Sequence, residues 1–226
     1  LDSSYSLLLN AKKLKESSEP SVIHPIFFDY GHKAANIEWE RVQKIVSQIR
    51  KVLNDQSIID DAVKISLKSD LFKWSESQAF QGKQGNPHPE IENRNMVIFS
   101  VLASYLLACT IRKGIIPRKH EGGNSGQEIT PVVKFVITSG LKDGELPDSN
   151  NTFFGKISNV LRNYRPDVTF NFIPIPNYQR AQIESKIKKL LGGSKQKFLD
   201  FKGLTGSCYE PAVDGTPCGI CFKCNS

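Results

Sequence analysis

Two rhythms of apolar and polar positions run along this chain. YSLLLNAKKL (5–14) repeats apolar residues at helical spacing, with Asp2, Ser3 and Ser4 ahead of it as candidate N-caps. VIHPIFF (22–28) is a short run of strand formers ending in the turn signal DYGH. Trp39, Val42, Ile45, Val46, Ile49 and Leu53 return to helical spacing and predict a second amphipathic helix. DAVKISLK (61–68) alternates and predicts a strand. MVIFSVLASYLLACTI (96–111) predicts a buried core helix, because sixteen residues fall short of the roughly 20 that span a bilayer. PVVKFVITS (131–139) and VTFNFIPIP (168–176) are the clearest strands, with a helix between them from about Phe153 to Arg162. Ile183, Ile187, Leu190 and Leu191 mark a last long helix. The stretches 70–93, 114–130 and 143–151 are polar and predict loops, the first of them over a site.

Strands alternating with helices predict βαβ units and a mostly parallel sheet covered on both faces. Ligands in such folds sit beyond the carboxyl ends of the strands. The segments that fall there are LDSS, FDYGH, SGLKDGELPD and NYQRAQ, so these are expected to line the pocket. With 226 residues, 39% of them hydrophobic, the chain can bury a core without any low-complexity region or internal repeat. A net charge of +7 suits an anionic partner. No secretory signal is visible, and the cytoplasm is the expected compartment.

Chemistry concentrates at the end of the chain. Cys208, Cys218, Cys221 and Cys224 lie in a C-x9-C-x2-C-x2-C pattern, and Cys109 is the only other cysteine. Two-residue gaps let neighbouring thiolates turn toward one ion, and four protein ligands leave no open position, so a structural Zn²⁺ is expected. An iron–sulfur cluster uses four thiolates as well. Cys109, on an apolar helix, is expected to be a small core residue. Arg180 to Lys202 carries seven basic residues against two acidic ones, which leaves a nucleic-acid-binding zinc module open as a non-catalytic alternative.

LDSS before a helix, FDYGH (28–32), NRN (93–95), TSGLKDGELPD (138–148), RAQI (180–183) and SCYE…PCGICFKC stand in an order that resembles the 7-cyano-7-deazaguanine synthase family of queuosine biosynthesis. The resemblance implies a nucleotide α-hydrolase-like (PP-loop) parallel sheet flanked by helices over 1–203, with a zinc-binding segment, 204–226, packed on it. It implies an ATP- and Mg²⁺-dependent C–N ligase that adenylates the carboxylate of 7-carboxy-7-deazaguanine, amidates it and continues to the nitrile. Asp2, Ser3 and Ser4 would bind pyrophosphate and magnesium, and Asp2, Ser3 and Arg94 would carry the chemistry. Phe28, Asp29, Tyr30 and Gly31 would lie beside the adenosine, with Asn95 and Arg180 also on the nucleotide. Arg94, Asp143 and Asp148 would face the deazaguanine, Cys208, Cys218, Cys221 and Cys224 would hold the Zn²⁺, and a homodimer is implied.

The match departs from the family in several places. Gly206 replaces the family's usual Trp, EIENRN stands for V-P-G-R-N, and LPDSNN stands for Y-P-D-C-R. That pattern leaves a second reading open: a diverged relative that stops at the amide, or one repurposed, as in bacterial antiphage defence, to join the acid to a protein amine rather than to ammonia.

Overall fold

Short runs of β-branched and aromatic residues seed each strand, and two strand–helix–strand units close with their strands parallel. The computed structural model describes residues 1–17, 21–29, 31, 34–67, 94–115, 133–142, 150–176, 178–206, 212 and 216. Two compact units divide the chain: Leu1–Glu92 with Gln179–Ser226, and Asn93–Tyr178.

In the first unit, α1 (Asp2–Glu16) is opened by Leu1 rather than by a serine or aspartate, and no side chain caps it. Asp2 lies in its first turn and Lys13 and Lys15 in its last, the arrangement the helix dipole favours. Tyr5, Leu8 and Ala11 bury one face, and α1 packs against α2 (Ala35–Leu53) and α5 (Arg180–Leu190). Ile45, Val46, Ile49 and Leu53 form the buried face of α2, as their spacing predicts. Asn54 ends that helix at φ 51°, a left-handed position that asparagine tolerates. Between α1 and α2 runs β1 (Ile26–Asp29), paired parallel with β2 (Val63–Ser66) in the register Ile26↔Val63 to Asp29↔Ser66. Arg50 of α2 donates from Nε and Nη2 to the Ile59 carbonyl at 3.0 and 2.6 Å, tying the helix to the strand approach.

The last predicted helix is two helices, α5 and α6 (Lys195–Leu204). Gly192 and Gly193 break it at φ 75° and 77°, a backbone region where a side chain would be strained. Ser194 then starts α6, its Oγ accepting from the Lys197 amide. Ile183, Ile187 and Phe201 are fully buried.

The second unit holds α3 (Arg94–Arg112), β3 (Val133–Lys142), α4 (Asn151–Tyr164) and β4 (Val168–Ile175). β3 pairs parallel with β4, and α4 packs on β4. Asn150 caps α4 by accepting from the Phe153 amide at 2.9 Å. Phe99, Phe154 and Phe172 form the aromatic centre. Phe99 lies edge-on to the other two at 5.5 and 4.9 Å between ring centres, and Phe154 stacks on Phe172 at 5.6 Å. Residues Asn95–Arg112 of α3 are long and apolar enough to cross a membrane, a property shared with the core helices of soluble proteins. Phe99, Leu102, Ala103, Leu106 and Leu107 of this helix are buried.

The expected fold class is corrected here. Among the described residues the strands form two separate two-stranded parallel sheets, β1–β2 and β3–β4, and not one PP-loop-type parallel sheet. The βαβ pattern predicts parallel pairing between successive strands, and that is observed for β1–β2 and for β3–β4 but, among the described residues, not between β2 and β3. It carries no instruction for joining one pair to the next, which depends on edge-to-edge contacts distant in sequence.

Candidate functional site

Phe27 and Phe28 hold β1 in the first unit, and the strand ends on Asp29, which is completely buried. One turn of chain must then lead into α2. The Asp29 carboxylate shapes it: Oδ1 accepts from the Gly31 amide at 2.9 Å, and Gly31 takes φ 90°. On the other side, Lys64 of β2 places its Nζ 2.9 Å from Asp29 Oδ2 and 3.4 Å from Asn36 Oδ1. An ammonium thus sits between the end of β1 and the first turn of α2. The Leu67 amide donates to the Asp29 carbonyl at 2.7 Å and closes the strand end. Removing a carboxylate from water costs several kcal/mol unless it is paired. Here Lys64, about a quarter exposed, supplies the opposite charge and keeps a route to solvent.

The predicted site residues fall in different places. Asp2 is half-buried, Ser3 exposed and Ser4 buried, all in the first turn of α1. Phe28, Asp29 and Gly31 lie at the end of β1, and Arg180 opens α5 with its Nε 3.4 Å from Glu184 Oε1. Arg94 and Asn95 open α3 in the second unit, where Asn95 is buried at 3% exposure. Tyr30, Asp143, Asp148, Cys208, Cys218, Cys221 and Cys224 lie outside the described residues. Cys109 is a half-buried free thiol.

In comparison with known proteins, the chain matches no family model and no curated protein.

The metal and cofactor expectations are corrected with the fold. Among the described residues there is no group of three or more His, Cys, Asp or Glu that could hold a metal ion. With neither a PP-loop-type sheet nor a metal-holding group among the described residues, membership of the 7-cyano-7-deazaguanine synthase family, the structural Zn²⁺ and the ATP- and Mg²⁺-dependent ligase chemistry are not upheld there; the four cysteines themselves lie outside those residues. The protein-amine variant and the zinc-dependent nucleic-acid module fall with them. A physical reason lies in the motifs that carried the resemblance. LDSS is a helix start, and FDYG is a strand end followed by an aspartate-shaped turn, so each is produced by local backbone chemistry alone. At Gly206, where the family has Trp, a Cβ would fall 2.5 Å from Arg41 Nη1, so the arginine covers the space a side chain would take.

Three charged groups escaped sequence reasoning: Lys64, and the pair Arg165–Asp167. Arg165 and Asp167 are both buried and paired through two contacts, Nε to Oδ1 at 2.8 Å and Nη2 to Oδ2 at 2.5 Å. The hydrogen bonds it donates to Asp167 hold the Arg165 guanidinium above its ordinary pKa. The pair braces the turn between α4 and β4. In the sequence, RPD is legible as a turn, but not as a buried ion pair.

Glu184 on α5 is the other tuned carboxylate. Lys202 of α6 donates to it at 2.9 Å, and Arg180 lies beside it at 3.4 Å. The Lys202 hydrogen bond, followed by burial in the opposite sense, leaves the Glu184 pKa lowered from 4.5. A carboxylate whose folded pKa is depressed contributes stability above its unfolded value, and loses it as pH falls through the folded one. Lys202→Gln should therefore lower stability by about 0.5 kcal/mol at pH 7, discounted for the exposure of Lys202. The difference should vanish well below pH 4.5, where Glu184 is protonated in both states. Urea midpoints at neutral and strongly acidic pH check this; an unchanged difference would mean that Lys202 acts through packing.

Proposed function

We propose that the protein binds a polar small molecule at the carboxyl end of the β1–β2 pair, beside Asp29, Gly31 and Lys64. The observation that carries this reading is the Asp29–Lys64 pair. A buried ion pair contributes little net stability compared with apolar residues of the same size, and where retained it serves to fix one local arrangement. This one fixes the β1–α2 turn, at the strand end where parallel α/β folds bind ligands. The exposed backbone at Gly31, the Lys64 ammonium and the Ser66 hydroxyl are the groups a ligand would meet. The ammonium can only donate and the hydroxyl can donate, so the ligand should present acceptors.

Backbone amide shifts would be followed while the protein is titrated with succinate, adenosine or spermidine. These three probes stand for an anionic, a neutral and a cationic polar ligand. Succinate or adenosine should move the amides of Gly31, Ala35, Asn36 and Leu67 together, and Asp29→Asn should abolish the effect. Shifts localised elsewhere, or shifts at these amides with spermidine alone, would overturn the reading.

A further inference from the structure

A lysine cluster lies outside this site, at one end of the three-helix layer of the first unit. Lys188 and Lys189 stand in the last turn of α5, and the Gly192–Gly193 turn brings Lys195 and Lys197 directly after them, in the first turn of α6. Lys12 of α1 donates to the Leu190 carbonyl at 3.4 Å, which sets the carboxyl-terminal part of α1, with Lys13, beside the same turn. Lys13, Lys188, Lys189, Lys195 and Lys197 are all exposed, and none has an ion-pair partner among the described residues.

The acidic residues of the two helices do not neutralise them. Glu184 is already paired with Lys202 and Arg180, which leaves one carboxylate on these helices, Asp200, hydrogen-bonded by Gln196 at 2.7 Å, against Lys188, Lys189, Lys195 and Lys197. Lys195 and Lys197 also sit at a helix N-terminus, where the dipole disfavours cations by about 0.3–1 kcal/mol each. The positive end of α6 therefore adds to Lys195 and Lys197, while the negative end of α5 partly offsets Lys188 and Lys189.

We infer that this end of the α1–α5–α6 layer binds the phosphate backbone of a nucleic acid, without reading its sequence. Five ammonium groups spread around one turn exceed what a single phosphate can contact, but match a ligand whose charges repeat along a chain. A membrane surface fits less well, because an interfacial helix must offer apolar residues for insertion. Ile183 and Ile187, the apolar face of α5, are fully buried, and Leu199 on α6 is a single exposed leucine rather than an apolar face. The inference is independent of the small-molecule site, since it uses no residue of the β1–α2 turn.

A labelled DNA duplex of arbitrary sequence, titrated by fluorescence anisotropy between about 50 and 200 mM salt, tests it. Five phosphate contacts predict a log–log salt slope of about −4.5. The variant Lys188→Gln/Lys189→Gln/Lys195→Gln/Lys197→Gln should bring the slope close to about −1, while Lys→Arg at the same four positions should preserve it. These side chains are exposed, so folding should be unaffected, and circular dichroism confirms that. Lys156→Gln/Arg162→Gln, on α4 of the second unit, lowers net charge by two and should leave the slope unchanged. An undiminished slope in the fourfold variant, or an equal loss per charge in the α4 variant, would overturn the assignment. So would binding to phosphatidylserine-rich vesicles without binding to DNA.

Discussion

Lys64→Met should destabilise the protein by about 3 kcal/mol, the lower end of the range for stranding one charge of a buried pair. Asp29 has no exposed surface, so once its ammonium is gone it cannot recover the lost interaction from water. The lower end applies because Lys64 is itself partly in solvent. The double variant Asp29→Leu/Lys64→Met separates this from a packing effect. If the charge is the cause, the second substitution should recover much of the loss, since no uncompensated carboxylate remains. Chemical unfolding of the three variants gives the coupling directly, and additive losses would rule out the ion pair as their source. Amide exchange at Gly31 should accelerate in Lys64→Met, because the carboxylate that holds this amide loses its own anchor.

In the second unit, Phe154→Ala should cost about 4 kcal/mol. The ring is buried to 4% exposure and touches Phe99, Phe153 and Phe172, with centres 5.5–5.6 Å apart. Each such pair contributes about 0.5–1.5 kcal/mol beyond the area it removes from water, and the cavity left behind adds to that loss. Val160→Ala, on the same helix but 68% exposed, should change stability by less than about 0.5 kcal/mol. Hydrogen exchange at the Phe170 and Phe172 amides would place the loss on β4. Equal effects from the two substitutions would show that α4 is not held to β4 by this cluster.

These two sites are not equally legible in the sequence. The aromatic cluster is written in the alternation of VTFNFIPI and in the helix from Asn151, so the pattern of residues alone points to its members. Asp29 stands out in the sequence as well, but for a nucleotide role. Its observed contacts include its own turn and Lys64, and Lys64 looks like an ordinary polar position on an alternating strand. Nothing in DAVKISLK says which neighbour the lysine will meet. Parallel pairing in the register Asp29↔Ser66 decides it, with Lys64 two residues back and one strand over.

Local sequence by itself determined the elements. Helical and two-residue periodicities marked α1, α2, α3, α4 and all four strands, because side-chain burial on one face is a nearest-neighbour property of the backbone. The double glycine that splits α5 from α6 is a local signal too. Tertiary structure alone decided that the strands form two pairs among the described residues, that Lys64 meets Asp29, and that Arg165 closes on Asp167 out of water. It also gathered lysines from three helices around one turn. These outcomes rest on contacts between residues far apart in the chain or on burial from water, and neither leaves a periodic trace in the order of residues.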